Sequence, residues 1–197
     1  MSIAITGANG FIGQALCQHL KSKQISAIGL CRTAPQLEDA SIESSSISFR
    51  EVPTPWGEPQ LSEALNGCNT IVHLAGRAHQ IAGDDPEEEL ELQLDSHLEL
   101  SKTIALAAKK AAIERIVFVS SAKVLGESSG AGIFMHDSPP APEDAYAKAK
   151  WQAEQWLQTF CHAEKIELVI IRPGLVYQKD AKGNLASLQK AIDLHIP

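Results

Sequence analysis

Ile3-Ala4-Ile5-Thr6-Gly7-Ala8-Asn9-Gly10-Phe11-Ile12-Gly13 opens the chain, and its pattern sets the fold. A short apolar run reaches a turn, and glycines at every third position lead into an amphipathic stretch. A strand passing directly into a helix satisfies that order. In such a turn the first glycine permits the tight bend, and the second lets backbone approach a diphosphate. The third lets the helix lie close on the strand. Glycine-rich turns are common, so the spacing gains meaning from its place between strand and helix.

Outward from this unit, strand and helix patterns alternate. Residues 3–6, 26–31, 47–52, 70–74, 115–120 and 168–171 read as strands, and 11–23, 61–65, 87–110 and 145–165 as helices. Residues 32–46 read as a polar loop with weak helical character, and 122–141 as a Gly/Ser/Pro-rich loop. Alternation of this kind predicts an α/β fold, a doubly wound parallel sheet with helices on both faces. Ligands bind such sheets at the carboxyl ends of the strands. Gly7–Gly13, Leu74–Gly76, Ser120-Ser121 and Arg172–Gly174 all fall there. The acidic cluster from Asp84 to Glu89 contains Pro86, and acids with a proline suit the first turn of a helix. No metal site is assigned to it.

Composition narrows the partners. The 197 residues are 44% hydrophobic and carry a formal net charge of -7, a balance that suits a globular domain and disfavours a nucleic-acid surface. Four cysteines without CxxC spacing predict reduced thiols. No apolar run reaches bilayer length, and the N-terminus enters a strand without a basic leader. The expected location is cytoplasmic, without membrane or nucleic-acid partners.

Two further features carry chemistry. Tyr146 and Lys150 stand four residues apart in a helical pattern and share a face. An ammonium beside a phenol favours the phenolate and draws its pKa down from about 10. Tyr146 is therefore a candidate general acid/base. Ser121 at a strand end is a candidate donor to the reacting oxygen; alternation points Ser120 the other way. At the end of the second strand an acid would suit NAD ribose, but Cys31 and Arg32 stand there. Arg32 can pair with a 2′-phosphate, which favours NADP over NAD.

Taken together, Thr6–Gly13, Val72-His73-Leu74-Ala75-Gly76, Ser120–Glu127, Tyr146–Lys150 and Arg172–Tyr177 form an ordered set. The chain resembles the extended short-chain dehydrogenase/reductases, in the nucleotide-sugar epimerase/dehydratase/reductase group, over nearly its whole length. The resemblance implies a Rossmann-type domain over residues 1–176 and the start of a truncated substrate-binding region over 177–197. It implies an NAD(P)-dependent epimerase or reductase of a nucleotide-activated sugar, with Ser121, Tyr146 and Lys150 catalytic. The implied cofactor contacts are Gly7, Asn9, Gly10, Phe11, Ile12, Gly13, Arg32, Leu74, Ala75, Gly76, Tyr146, Lys150 and Pro173. Implied substrate contacts are Ser121, Lys123 and Asn184. A homodimer through the helices at 90–110 and 145–165, with Leu94, Leu98, Trp151 and Trp156 as apolar positions, is also implied.

Three departures stand out: Cys31 in place of an acid, His97 where the group carries an Asn, and an end at Pro197 where a substrate-covering region would continue. The first weakens an NAD assignment; the second and third keep open a second reading, a non-catalytic dinucleotide sensor or interaction module on the same fold.

Overall fold

The computed structural model describes residues 2–33, 46–76 and 85–177. Expectations for residues 34–45, for Asp84 and for 178–197, including Asn184, lie outside the described residues. The elements run β1 (Ser2–Thr6), α1 (Phe11–Ser22), β2 (Ala27–Cys31), β3 (Ile47–Glu51), α2 (Glu58–Ala64) and β4 (Cys68–His73). Then follow α3 (Pro86–Leu94), a π-helical turn (Asp95–Glu99), α4 (Leu100–Lys110) and β5 (Arg115–Val119). A short 3₁₀ turn (Ala122–Leu125), α5 (Ala145–Glu164) and β6 (Glu167–Ile171) complete the order.

The six strands form one sheet in the order β3-β2-β1-β4-β5-β6, and every pairing is parallel. Connections lead one way from β1 through β2 to β3 and the other way from β4 through β6. The crevice between the carboxyl ends of β1 and β4 is therefore the switch point where such sheets take ligands.

Helices cover both faces, unevenly. On one side Leu61, Leu65, Ile104 and Leu157 from α2, α4 and α5 close over Leu30, Ile71, Ile116 and Phe118. On the other, Cys17 and Leu20 of α1 meet Ile5, Ala27 and Ile47. That second layer spans the β1–β3 half, and at the far edge Val169 and Ile171 stay 37% and 46% exposed.

Two elements differ from expectation. Helix α2 begins at Glu58, ahead of the expected residue 61, because Pro59 occupies the first turn, where no N–H is needed. The single helix expected over 87–110 is interrupted by the π-helical turn. An extra residue in one turn rotates α4 against α3 while leaving the apolar spacing on either side helical. Its start follows the capping logic: Asp85 accepts from the Glu87 N–H at 2.9 Å and Pro86 opens the helix.

At its glycines the turn meets bare backbone. Gly7 sits at φ +71, and a Cβ there would meet the Ala75 nitrogen at 2.9 Å. A Cβ on Gly13 would collide with the Gly7 carbonyl and come within 2.8 Å of Ala8 Cα. Around Gly174 nothing lies within 4 Å of the same atom. Gly13→Ala is expected to destabilise the fold by about 1–3 kcal/mol, lowering Tm by roughly 2–10 °C. Gly174→Ala is expected to stay within about 0.5 kcal/mol. Thermal unfolding of the two variants checks the contrast.

Candidate active site

The end of β1 is locked to the end of β4 by one hydroxyl. Thr6 Oγ1 accepts from the Leu74 and Ala75 N–H groups, each at 3.2 Å. Both lone pairs being used, its own proton is left for His73 Nδ1 at 3.0 Å. His73 Nε2 then carries the ring proton and donates to Ser101 Oγ on α4 at 2.9 Å. Burial, then Lys150 and then His97 hold the His73 pKa well below 6.5, so the ring is neutral, as this chain of bonds requires.

Above this lock, Gly10 caps α1 without a side-chain bond, and no acid stands in the helix's first turn. The terminal N–H groups and the positive end of the dipole are thus left for an anion. With Gly7 and Gly76 shaping the approach, a dinucleotide diphosphate fits this cradle in charge and in available donors. At Gly76 a Cβ would strike the His97 ring at 2.6 Å, so the crevice wall there must be bare backbone.

The three candidate catalytic residues converge from two elements. Ser121 follows β5, and its hydroxyl accepts from the Lys123 N–H at 3.2 Å, shaping the turn. Tyr146 lies in the first turn of α5, whose cap Asp144 accepts from the Ala147 N–H at 2.6 Å. The Ser121 side chain stands beside the Tyr146 phenol, where its hydroxyl favours the phenolate. Lys150, one turn on and 5% exposed, donates to the Val119 carbonyl at 3.0 Å. Its Nζ lies 5.9 Å from the centre of the Tyr146 ring and 4.8 Å from that of Phe118.

One expectation is overturned. Lys150 was expected to draw the Tyr146 pKa down, yet the phenol is raised above 10. Burial is the main cause; Ser121 and Lys123 oppose it, and Asp144 adds to it. The ammonium is turned toward the strand carbonyl, while the phenol is half-buried at the helix start. Burial also pulls Lys150 itself down to about 8, with Glu154 acting the other way.

The other candidates spread around this centre. Asn9 and Gly10 are exposed on the glycine turn, Phe11 and Ile12 half-buried, and Leu74, Ala75 and Gly76 line the β4 end. Asn9 Nδ2 donates to the Thr33 carbonyl at 2.9 Å, tying the turn to the segment after β2. Arg32 is exposed beside it, and Cys31 is buried with its thiol on the Arg50 carbonyl. Pro173 is joined to the Ser121 turn by its carbonyl, which accepts from the Ala122 N–H at 2.9 Å. Lys123 is held by Asp144 at 2.6 Å and Glu127 at 2.9 Å, and so braces the Ser121 turn against α5.

Three participants were not singled out as site residues from the sequence: His73, Ser101 and the buried Glu154. His97 was noted only as a departure; its ring meets the Tyr146 ring edge-on, centroids 5.1 Å apart.

Residues 3–193 match the model of the NAD dependent epimerase/dehydratase family. The chain belongs to this family. It is 32% identical over 197 residues to the UDP-glucose 4-epimerase of Vibrio cholerae, covering 100% of this chain and 58% of that one. It is 31% identical over 134 residues to the N-acetyl-alpha-D-glucosaminyl-diphospho-ditrans,octacis-undecaprenol 4-epimerase of Escherichia coli O157:H7, covering 67% and 38%. The chain thus spans little more than half of these relatives at most. In fold it is similar to the UDP-glucuronic acid 4-epimerase from Bacillus cereus in complex with NAD, with a TM-score of 0.78. That match covers 100% of this chain and 64% of the other at 24% identity. The NADP preference suggested by Arg32 gains no support from these comparisons. Among the described residues, no helix is long and apolar enough to cross a membrane.

The neutral His73 gives the domain a pH signature. Unfolded, it takes up a proton below about 6.5; folded, it does not. The unfolded state therefore binds more protons, and stability falls as pH drops from about 6.5, by up to about 1.4 kcal/mol per unit from this group. In His73→Gln this component is absent. The stability gap between wild type and variant is expected to shrink from pH 7 to pH 5 in urea titrations, and a constant gap contradicts the assignment.

Proposed function

We propose that this domain binds NAD(H) or NADP(H) on the glycine turn and performs the acid–base chemistry of a nucleotide-sugar epimerase or reductase. The observation that carries the reading is the pairing of Ser121 with Tyr146 at the sheet's carboxyl edge, with Lys150 one turn behind on the same helix. A bound nicotinamide dinucleotide supplies hydride exchange with a sugar carbon. Gly7, Asn9, Gly10, Phe11, Ile12 and Gly13 would hold its diphosphate side, and Leu74, Ala75, Gly76 and Pro173 would line the crevice. Arg32 bears on any 2′-phosphate.

In this reading Tyr146 gives or takes the proton at the sugar oxygen, and Ser121 donates to that oxygen as charge develops on it. Lys150 holds a positive charge behind the phenol below a pH of about 8. Lys123 acts on the substrate side only if it leaves Asp144 and Glu127; Asn184 would contribute to substrate binding. The sugar nucleotides named in the relatives, UDP-glucose and UDP-glucuronic acid, indicate the substrate class to test.

A second reading, a dinucleotide-binding module without turnover, is supported by the raised phenol and by the bond from Lys150 to Val119. Pairing of two copies through α3–α4 and α5 also belongs to the proposal. Leu92 and Leu106 on those helices are 44% and 45% exposed, and light scattering at about twice 21.2 kDa would support pairing.

Calorimetric titration with NAD and NADP at matched salt is expected to give saturable binding of at least one. With UDP-sugars, Tyr146→Phe is expected to retain that binding and lose about 10²–10⁴-fold in turnover. Turnover with substoichiometric cofactor identifies an epimerase, and one NAD(P)H consumed per product a reductase. Binding without turnover selects the module, and absence of binding at millimolar concentration overturns both readings.

A further inference from the structure

Beneath Lys150 lies a carboxylate that the acid–base scheme does not use. Glu154 is 0% exposed on α5, four residues after Lys150 and so on the same face. Arg172, just past β6, grips it with two nitrogens: Nε stands 3.0 and 3.2 Å from the two oxygens and Nη2 2.5 Å from Oε2. The remaining Nη1 donates to the His136 carbonyl at 3.4 Å, and the guanidinium lies 5.9 Å from the centre of the Trp151 ring.

A buried pair of this kind contributes little net stability over apolar side chains of the same size. Its placement gives it another use. Among the described residues, no other carboxylate is paired with Lys150 from the elements around it: His73 on β4 and His97 in the π-helical turn bring no negative charge, and Lys150 and His97 both act against a charged His73. From α5, Tyr146 presents an uncharged phenol; from β5 the Phe118 ring face and the Val119 carbonyl favour the ammonium as neutral partners, without a countercharge. Lys123 and Asp144 offset each other at the helix start. Glu154 is the carboxylate whose field favours the charged lysine.

We propose that Glu154, clamped by Arg172, is a positioning residue that acts through Lys150, keeping its buried ammonium protonated under the phenol. The proposal rests on the reading of Lys150 as part of the active site, but its test does not require turnover. Arg172 partly neutralises Glu154, so the two residues pull the lysine in opposite directions.

The test follows the Cε signal of Lys150 by ¹³C NMR across pH in the full chain, the signal being assigned by its loss in Lys150→Arg. Wild type is expected to titrate near the value of about 8 given by burial and Glu154. Glu154→Gln is expected to lower the midpoint by about one unit or more, roughly a tenfold loss in proton affinity. Arg172→Gln, which frees the carboxylate, is expected to raise it. Opposite shifts support the proposal. A purely structural pair would reduce thermal stability in both variants and leave the midpoint in place, which overturns it, as do shifts of the same sign. If one single variant does not fold, the sign in the other decides. If neither folds, Glu154→Asp, which keeps the pair with Arg172 but draws the carboxylate back from Lys150 by one methylene, decides: a lowered midpoint supports the proposal and an unchanged one overturns it. A domain that shifts as described yet binds no dinucleotide would sink the functional reading and leave this one standing.

Discussion

The structure depends on the close approach of two strand ends at the sheet's switch point. Gly7 meets the backbone of Leu74 and Ala75 where no side chain fits, and Thr6 Oγ1 takes both N–H groups of that segment. Every later feature presumes this contact. It orients the first turn of α1, fixes the crevice wall as far as Gly76, and recruits His73 and Ser101 to join α4 to the same point.

From there the site is assembled by capping and bracing. Asp144 starts α5 where Tyr146 must stand, and Lys123 links that cap to the turn carrying Ser121. The bond from Lys150 to Val119 ties the helix to β5 from below. Three residues separated along the chain thus share one edge: the turn after β5 holds Ser121, the Asp144 cap sets the helix start that carries Tyr146, and the Val119 carbonyl holds Lys150. The electrostatics are less tuned than the spacing suggested. Burial dominates both titrating groups, raising the phenol and lowering the lysine.

Much of this was legible in the residues. Alternating apolar strands and helical repeats reported the sheet, and the glycine spacing with Ser121, Tyr146 and Lys150 reported the edge where they meet. What stayed hidden has physical reasons. The π-helical turn at Asp95–Glu99 adds a residue without breaking the helical spacing on either side, so periodicity reads straight through it. The Thr6–His73–Ser101 relay joins residues 67 and 28 positions apart, and nothing local marks a partner at such distance. Arg172 and Glu154 look like ordinary surface charges in sequence, and only burial on the sheet pairs them. The effect of Lys150 on Tyr146 was misjudged for a related cause. Helical spacing places two side chains on one face, but a strand carbonyl within reach decides where the ammonium points.

The central claim is that the glycine turn and the Ser121–Tyr146–Lys150 group serve one ligand. A crystal structure of the chain with NAD tests it most directly. The account predicts the diphosphate against the first turn of α1 and the nicotinamide ribose within hydrogen-bonding distance, about 3 Å, of Lys150 or Tyr146. A dinucleotide bound with its nicotinamide end away from α5, or outside the β1–β4 crevice, would contradict it.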